Sequence, residues 1–308
     1  MTTEKNWPRV AVIGAGAVGG YFGGMLARAG APVVMIGRPA FVEAVNKNGL
    51  FLDSPKFQEH VKVEASAELA AARGAELVLY CVKTKDNAST SKTLAPLLSK
   101  NAIVVSLQNG VDNVEQLRAA GLSALPAVVY IGVSAPEPGH VKHIGRGDLV
   151  VGPKNEKTEW VASTFERAGV GCRISENIDG ELWTKLIWNC ALNAVSALGR
   201  AKYGQIAASD DARKVVEELV DEVLAVAHAA KIQLPGLESA EKAYAGAFQI
   251  ATQLGGTFSS TAQDMVRGKL TEIDSLNGYI ARRGAELGVA TPVNHALFTL
   301  VKLVESRS

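Results

Sequence analysis

The chain has almost no excess of charge: its 308 residues carry 32 Lys and Arg side chains against 31 Asp and Glu, a formal net charge of +1. Proteins that bind nucleic acids or anionic membrane surfaces usually carry a clear basic excess, so this balance supports neither kind of partner. Apolar runs of about 20 residues, the length that spans a bilayer, are also missing. We therefore expect a protein that binds neither nucleic acid nor membrane.

Cysteine is scarce as well. The three residues, Cys81, Cys172 and Cys190, show none of the C-x-x-C spacing that marks zinc or redox sites. The one close pair of histidines, His140 and His143, lies in a polar stretch that offers no third ligand, so we expect no metal site. Because the first residues also lack a signal-like apolar segment, we expect a cytoplasmic protein.

Hydrophobic residues make up 47% of the sequence, and its length suits two domains of ordinary size. Up to residue 178, short apolar runs rich in β-branched residues alternate with helical segments, the pattern of a parallel sheet covered by helices. Further on, apolar residues recur almost entirely at helical spacing. We predict an α/β fold: a Rossmann-type doubly wound domain over residues 1–178, then an all-helical C-terminal domain over residues 179–308. The helices predicted there are Leu182–Leu198, Asp211–Ala230, Leu237–Gln253, Thr271–Leu287 and Asn294–Val304.

A glycine motif lies near the start of the chain. The apolar strand Val10–Ile13 is followed by Gly14-x-Gly16-x-x-Gly19 and then by a helical segment, Gly20–Ala29. In this setting the first glycine allows a tight turn, the second lets backbone approach a pyrophosphate, and the third lets helix and strand pack closely. We predict a dinucleotide site here; the alternative is a glycine-rich turn with a structural role alone. The residues expected to line the site are Gly14, Ala15, Gly16, Ala17, Val18 and Gly19.

Residues at later strand ends refine this cofactor site. Arg38 follows the second strand, where a site for NAD tends to carry an acid for the ribose hydroxyls. A guanidinium there favours a 2′-phosphate, and hence NADP(H). Lys83 and Asn109 follow the apolar strands Leu77–Val82 and Ile103–Leu107, so we expect them at the same sheet edge as the glycine turn. Arg38 and Lys83 could instead be ordinary surface charges.

In the second domain three polar residues, Lys185, Asn189 and Asn193, recur every four positions inside a segment that is otherwise apolar. On a helix they would lie along one face, and a helix that is apolar nearly all round is mostly buried. Buried polar groups need partners, and burial lowers the pKa of a lysine, which suits a proton donor near neutral pH. The spacing predicts a substrate site, although a solvent-facing stripe would give the same pattern.

Ser260 and Glu272 lie in a second polar stretch. The serine hydroxyl could bind a substrate carboxylate. Glu272 begins a predicted helix, where a carboxylate is electrostatically favoured without any catalytic role. The pattern alone does not separate a helix cap from a site residue at Glu272.

Together these residues resemble the ketopantoate reductase (2-dehydropantoate 2-reductase) family, and the similarity runs nearly end to end. In the first domain it rests on the glycine motif, Arg38, Val82-Lys83 and Gln108-Asn109-Gly110. In the second domain it rests on Glu181-Leu-Trp-x-Lys185-Leu-x-x-Asn189-x-x-x-Asn193, Ser259-Ser260-x-x-Gln263-Asp264 and Thr271-Glu272-Ile273-Asp274-x-x-Asn277-Gly278. The combination is far more specific than the glycine motif alone.

The resemblance implies NADPH-dependent reduction of ketopantoate to pantoate, a step towards pantothenate and coenzyme A. It implies that Lys185 contacts the C2 oxygen of the substrate and that Glu272, also expected beside the cofactor, organises that end of the site. Further residues implied to line the cofactor are Lys83, Asn109 and Ala135. Further residues implied to bind substrate are Asn189, Asn193 and Ser260. A homodimer is compatible with a helical second domain.

Two departures from the family pattern concern the substrate. Thr257 stands where some members have an asparagine three residues before the serine, and the stretch around Lys202 and Tyr203 lacks a further substrate-contacting asparagine that members can carry. Two other functions therefore stay open. One is the same chemistry on a different 2-oxo or 3-hydroxy acid. The other is a non-catalytic NADPH-binding regulator, which would have no need of the polar stripe around Lys185.

Overall fold

A computed structural model of the chain describes residues 6–237 and 239–306. The chain forms two compact units, and the boundary between them falls after Ile178. The short segment Asn109–Val111 belongs to the second unit, although it lies between two parts of the first in the sequence. This placement of Asn109 is not visible in the sequence pattern.

The first unit is a sheet with α-helices packed against it. Its strands are β1 (Val10–Ile13), β2 (Val33–Ile36), β3 (Leu50–Ser54), β4 (Phe57–Val61), β5 (Glu64–Ser66), β6 (Leu77–Tyr80), β7 (Ile103–Ser106), β8 (Leu125–Ser134), β9 (His140–Val151) and β10 (Cys172–Ile174). Its helices are α1 (Ala17–Arg28), α2 (Pro39–Asn48), α3 (Asn87–Leu94), α4 (Asn113–Ala119) and α5 (Glu156–Arg167).

The strand order is β4-β3-β9-β8-β7-β6-β1-β2-β5, with β10 paired to β9. From β5 through β1 to β8, each neighbouring pair runs parallel, and in register Val12 lies opposite both Met35 and Leu79. The pairs β3–β4 and β8–β9 are antiparallel. A mostly parallel sheet of this kind confirms the predicted α/β class of the first domain.

Strand β1 shows why these short apolar runs become central strands. Successive side chains of a strand point to opposite faces of the sheet. Val10 and Val12 accordingly join one core, which includes Phe22 of α1, whereas Ala11 and Ile13 join a second core with residues of α3 and α4. All four β1 residues are fully buried, so the strand has no polar face and reads as continuously apolar.

In the described residues after Ile178 the regular secondary structure is all helical, as predicted. Its helices are α6 (Ile178–Gly199, which starts at the unit boundary), α7 (Tyr203–Ala207), α8 (Asp210–Ala229), α9 (Ala240–Gln253), α10 (Ser260–Val266), α11 (Asn277–Leu287) and α12 (Pro292–Glu305). Helix α6 contributes Ile187, Cys190 and Ala191 to a core shared with α8 and α9. Within the described residues, each helix is either too short or too polar to cross a bilayer.

The start of α5 and the start of α11 are set by local features that an apolar pattern does not show. Helix α5 begins at Glu156, where the Asn155 side chain accepts hydrogen bonds from the N–H groups of Lys157 and Thr158 in a capping box. The predicted helix Thr271–Leu287 is two elements, a short 3₁₀ turn and α11, separated at Leu276. The sequence patterns also passed over the shorter helices α3, α4, α7 and α10.

Candidate functional site

The glycine turn of the first unit presents bare backbone at the start of α1. Gly14 has a φ of +92°, and a Cβ atom there would lie 2.8 Å from the carbonyl carbon of Cys81 and the amide nitrogen of Val82. Gly16 faces open space, since a Cβ atom there would have no heavy atom within 4 Å. No side chain caps α1, and its first turn contains no acid. First-turn N–H groups have no partner within a helix, so this end fits the pyrophosphate of a dinucleotide.

The backbone bonds of the turn separate its predicted residues into two groups. The N–H groups of Gly14 and Ala15 both donate to the carbonyl of Ile36, at 3.0 and 2.9 Å, so they hold the turn against β2. Ala17 and Val18 form the first turn of α1, where N–H groups have no partner within the helix and can accept an anion. The helix therefore begins three residues earlier than the predicted Gly20.

Gly19 lies inside α1 and serves packing. A Cβ atom there would lie 2.6 Å from the carbonyl oxygen of Gly14 and 2.8 Å from the Cγ1 methyl of Val12. The helix can approach β1 this closely only because residue 19 has no side chain, as the glycine spacing predicts.

The other predicted cofactor residues of the first unit lie beyond strand ends. Arg38 immediately precedes α2 and is exposed, and its guanidinium has no hydrogen-bond or ion-pair partner within residues 6–237 and 239–306. Lys83 is half-buried and starts the short turn Thr84–Asp86. Ala135 is half-buried directly after β8, and it can offer only backbone atoms and a methyl group.

A buried group of amide side chains, which the sequence analysis missed, supports the Lys83 turn. Gln108 donates through Nε2 to the carbonyl of Val82 at 2.8 Å and to Oδ1 of Asn87 at 2.7 Å. Asn87 in turn donates to Oδ1 of Asn113 at 3.1 Å. Buried amides are stable only when their donors and acceptors are paired. The signal in the sequence was the run of Asn and Gln residues just beyond β6 and β7.

In the second unit, three of the predicted residues form a chain of hydrogen bonds. The Nζ ammonium of Lys185 donates to Oδ1 of Asn109 at 2.7 Å. The Nδ2 amide of Asn109 donates to Oε2 of Glu272 at 3.0 Å. Asn109 thus joins a cation on α6 to an anion just before α11, and the amide orientation is set from both ends. Hydrogen bonds to charged groups are stronger than those between neutral groups. The two bonds through Asn109 therefore fix the position of the Lys185 ammonium.

The remaining substrate candidates differ in burial and in partners. Asn193 is only 3% exposed, and its Oδ1 accepts a hydrogen bond from the hydroxyl of Tyr203 at 2.8 Å. Asn189 is half-buried and Ser260 is exposed. Neither side chain makes a hydrogen bond to any residue of the described chain, nor does the Nδ2 amide of Asn193. These three groups can therefore bind the oxygen atoms of a ligand without first breaking a protein contact.

The adjacent serines have different roles. Ser259 is buried, caps α10 through the N–H of Ala262 at 3.0 Å, and donates to the backbone carbonyl of Asn193 at 3.0 Å. Ser260 is the first residue of α10, and its hydroxyl is exposed. Ser259 is therefore structural, which leaves Ser260 as the ligand candidate of the pair.

Both units match profiles of one known protein family. A family profile described as "Ketopantoate reductase PanE/ApbA" matches residues 10–156, and one described as "Ketopantoate reductase PanE/ApbA C terminal" matches residues 177–305. The chain belongs to the ketopantoate reductase family. The resemblance inferred from the motifs is thereby confirmed over both units.

Individual relatives agree with this membership. A curated 2-dehydropantoate 2-reductase of Pyrococcus horikoshii is 33% identical over 307 residues, covering 97% of this chain and 98% of the relative. A PanE/ApbA family ketopantoate reductase structure from Ralstonia eutropha JMP134 has a TM-score of 0.91 and 44% identity, covering 97% and 99%. A D-mandelate dehydrogenase with NADH and anilino(oxo)acetate has a TM-score of 0.89 and 25% identity, covering 97% and 98%.

As a member of the ketopantoate reductase family, the chain is an oxidoreductase that uses a nicotinamide cofactor. The glycine turn of the first unit fits that group, because its geometry leaves helix N–H groups open to a pyrophosphate.

The cysteines and the histidine pair lie outside this chemistry. Burial raises the pKa of all three thiols, that of Cys172 to about 12, so none is a thiolate near neutral pH.

His140 lies 3.6 Å from Asp53 and 3.5 Å from Glu137, two acids that the sequence pattern did not connect with it. His143 contacts the Ser54 hydroxyl at 3.1 Å. Within the described ranges, His, Cys, Asp and Glu side chains form no group of three suited to a metal.

Proposed function

We propose that this protein reduces 2-dehydropantoate (ketopantoate) to pantoate with NADPH, a step towards pantothenate and coenzyme A. The observation that carries the proposal is the hydrogen-bonded chain of Lys185, Asn109 and Glu272 in the second unit. An ammonium held by an amide whose other end is held by a carboxylate is well arranged to meet a carbonyl oxygen that gains negative charge. A structural helix has no need of this arrangement.

NADPH would be held by the first unit and by Asn109. The start of α1 would take the pyrophosphate, through the N–H groups of Ala17 and Val18. Arg38 would pair with the 2′-phosphate, since its guanidinium is exposed and is not engaged by any described residue. Lys83, Ala135 and Glu272 would line the remainder of the cofactor. When bound, the cofactor supplies the hydride that reduces C2 of the oxo acid.

The residues of the chain then handle the charge and the proton. Lys185 donates from Nζ to the C2 oxygen, stabilises the negative charge that develops there and transfers its proton to it, so that the product is a hydroxyl. Asn109 keeps the ammonium oriented, and Glu272 keeps Asn109 oriented. Water afterwards returns a proton to Lys185, which restores the starting state.

Three donors without protein acceptors would hold the rest of the substrate. The Ser260 hydroxyl and the amides of Asn189 and Asn193 can donate to the carboxylate and other oxygens of a small 2-oxo acid. These groups are neutral, so the ammonium of Lys185 is the cation assigned to the substrate.

Reduction of another small 2-oxo acid by the same residues is the alternative. The structural similarity to a D-mandelate dehydrogenase favours it. So do Thr257, where some members have asparagine, and the stretch around Lys202 and Tyr203, which lacks an asparagine that members can carry. A 3-hydroxy acid as substrate also stays open. A non-catalytic NADPH-binding regulator fits less well, because a sensor would not need Lys185 and its two partners.

The decisive experiment follows NADPH consumption by the purified protein with ketopantoate, pyruvate, 2-oxoisovalerate and a 3-oxo acid in parallel, and repeats each assay with NADH. We expect the highest kcat/KM with ketopantoate and NADPH. A higher value with another oxo acid would establish the alternative. NADPH binding without oxidation in the presence of any of these acids would favour the regulator.

Two broader expectations complete the proposal. We place the enzyme in the cytoplasm, since a reducing compartment suits its three free thiols. The homodimer stays a prediction, which light scattering at several protein concentrations would test.

A further inference from the structure

Tyr203 is joined to a predicted substrate residue. Its hydroxyl donates to Oδ1 of Asn193 at 2.8 Å, and the two side chains are 9% and 3% exposed. Tyr203 is the first residue of α7, and Asn193 lies in the third quarter of α6. The hydrogen bond therefore connects two separate helices of the second unit.

The backbone holds Tyr203 in place. Its N–H donates to the carbonyl of Thr257 at 3.0 Å, and the N–H of Gly204 donates to the carbonyl of Gly255 at 3.1 Å. A Cβ atom on Gly204 would lie 3.0 Å from that same carbonyl oxygen, so the two segments are in close contact. The segment that precedes Ser260 is thus bonded directly to the start of α7.

In the hydrogen bond between Tyr203 and Asn193, the tyrosine hydroxyl is the donor. Burial raises the pKa of Tyr203, so the hydroxyl keeps its proton throughout the neutral range. In the described chain the hydroxyl has no partner other than Asn193. If the amide were turned round, the O–H would be buried without an acceptor, which is unfavourable. Oδ1 of Asn193 therefore faces Tyr203, and Nδ2 is left as a donor.

We propose that Tyr203 is a positioning and specificity-determining residue that makes Asn193 a hydrogen-bond donor towards the substrate. This role rests on the proposed function, because that function includes the contact between Asn193 and the oxo acid. The substrate group at this point is then an acceptor oxygen, such as a carboxylate or oxo oxygen. A group that can only donate, such as an ammonium, would meet a second donor and be rejected.

Tyr203→Phe tests the role, since it removes the hydroxyl and keeps the ring. Without the hydroxyl, the Asn193 amide is free to turn, so its N–H is no longer committed to the substrate. We expect KM for the oxo acid to rise about threefold to tenfold, the worth of one hydrogen bond, while kcat and NADPH affinity stay nearly constant. Asn193→Ala should raise KM similarly, and the double variant should add nothing further.

Tyr244→Phe is the matched control. Tyr244 lies in α9, its hydroxyl donates to Asp221 of α8, and neither residue is a candidate site residue. Both phenylalanine variants should lower the thermal unfolding midpoint, but only Tyr203→Phe should change KM. A second test is Asn193→Asp, which places acceptors in front of the substrate and should raise KM by more than tenfold if residue 193 donates.

The results of these experiments distinguish failure of the positioning role of Tyr203 from failure of the proposed reductase function. An active wild-type enzyme whose KM is unchanged in Tyr203→Phe, or is unchanged in Asn193→Asp, would overturn the positioning role and leave the reaction intact. Additive effects of Tyr203→Phe and Asn193→Ala would also overturn it. A wild-type protein that reduces no oxo acid would instead overturn the proposed function, and this role with it.

Discussion

The two units form their candidate sites from different parts of the polypeptide. In the first unit the candidate cofactor site is made mainly of backbone: a glycine with φ of +92°, a second glycine that faces open space, and the uncapped start of α1. In the second unit the candidate site is made of side chains. Lys185 and its partner Asn109 are 76 residues apart in sequence, and Asn109 and Glu272 are 163 apart.

This difference decides how each site should respond to mutation. Backbone sites depend on the local conformation, so a substitution that disturbs them also lowers stability. Side-chain sites can lose a functional group while the helix that carries it stays folded. The variants below test this contrast.

The largest effect is expected at Lys185. Lys185→Ala removes the proposed proton donor, and we expect kcat to fall about a thousandfold, within the range of general acid catalysis. The affinity for NADPH and the free energy of unfolding should change little. Steady-state kinetics, a fluorescence titration with NADPH and urea unfolding measure the three quantities.

Lys214→Ala is the control for this variant, because Lys214 is an exposed lysine of the same unit that pairs with Asp211 at 3.3 Å. It should leave kcat unchanged. If Lys185→Ala turned over at a near-normal rate, the lysine would have no part in the reaction, and the polar stripe of α6 would be structural.

Gly14→Ala should damage stability and binding together. The new Cβ atom would lie 2.8 Å from backbone atoms of Cys81 and Val82, at a positive φ that other residues rarely adopt. We expect a loss of about 3 kcal/mol or more in the free energy of unfolding, from the clash and the strain combined. Urea unfolding and NADPH titration check both effects.

Gly121→Ala provides the comparison, since Gly121 has a φ of +84° but a Cβ atom there would have no heavy atom within 4 Å. Strain without a clash should lower stability by about 1–2 kcal/mol. Equal losses in the two variants would show that the contact with the strand end at Cys81 is unimportant.

Arg38→Ala should alter the choice of cofactor without altering the fold. A charge-assisted hydrogen bond contributes about 1.5–3 kcal/mol, so we expect KM for NADPH to rise about tenfold to a hundredfold while KM for NADH stays nearly constant. Arg28→Ala, which breaks an exposed ion pair with Glu59 at 2.7 Å, is the control. Equal losses with both cofactors would exclude the 2′-phosphate role of Arg38.

The smallest effect is expected at Glu305, which supports the side-chain site from a distance. Its carboxylate accepts from the N–H of Thr271, the neighbour of Glu272, at 2.7 Å, and lies 3.0 Å from Nζ of Lys302. Burial alone would raise the pKa of Glu305, but hydrogen bonds from Thr271 and Lys302 outweigh it and hold the pKa below its ordinary value of 4.5.

A lowered pKa in the folded state stabilises the protein above the ordinary value, and this contribution disappears as the pH falls through the folded value. Glu305→Gln should therefore lower the free energy of unfolding by about 1 kcal/mol at pH 7. The difference should shrink as the pH falls below the ordinary value of 4.5 and disappear once the pH has passed the lowered pKa of the folded state. Urea unfolding across this range measures it. Asp211→Asn, which removes the carboxylate of an exposed ion pair with Lys214, is the control and should change the free energy of unfolding little at pH 7. A pH-independent difference for Glu305→Gln would contradict the assignment.

The sequence predicted the parts of the molecule that depend on local spacing. The Gly14 turn, the parallel strands and the buried face of α6 all follow from periodicity and from glycine geometry, which are properties of neighbouring residues. The start of α5 at Glu156 is set by the capping side chain of Asn155, which an apolar pattern does not report. The break at Leu276 was missed because propensity does not report a change of backbone direction.

The residues that local patterns did not reveal take their roles from distant partners. The bond from Gln108 to Val82 and the bond from Tyr203 to Asn193 each join separate elements. The stripe on α6 was recognised, but no periodicity could show that Asn109 connects Lys185 with Glu272. The family resemblance identified the members of this group, and the folded chain supplied the bonds among them.

Helix α6 carries both candidate site residues and core residues, and this limits how the substrate preference of the enzyme can change. One side carries Lys185, Asn189 and Asn193, while Ile187 and Cys190 on other sides are completely enclosed in the core. Substitutions on the helix itself therefore risk the packing of the whole unit. New substrate preferences would arise more readily at residues outside α6, such as Tyr203, which bonds Asn193, and Thr257 and Ser260, because these can be exchanged while the helix stays as it is.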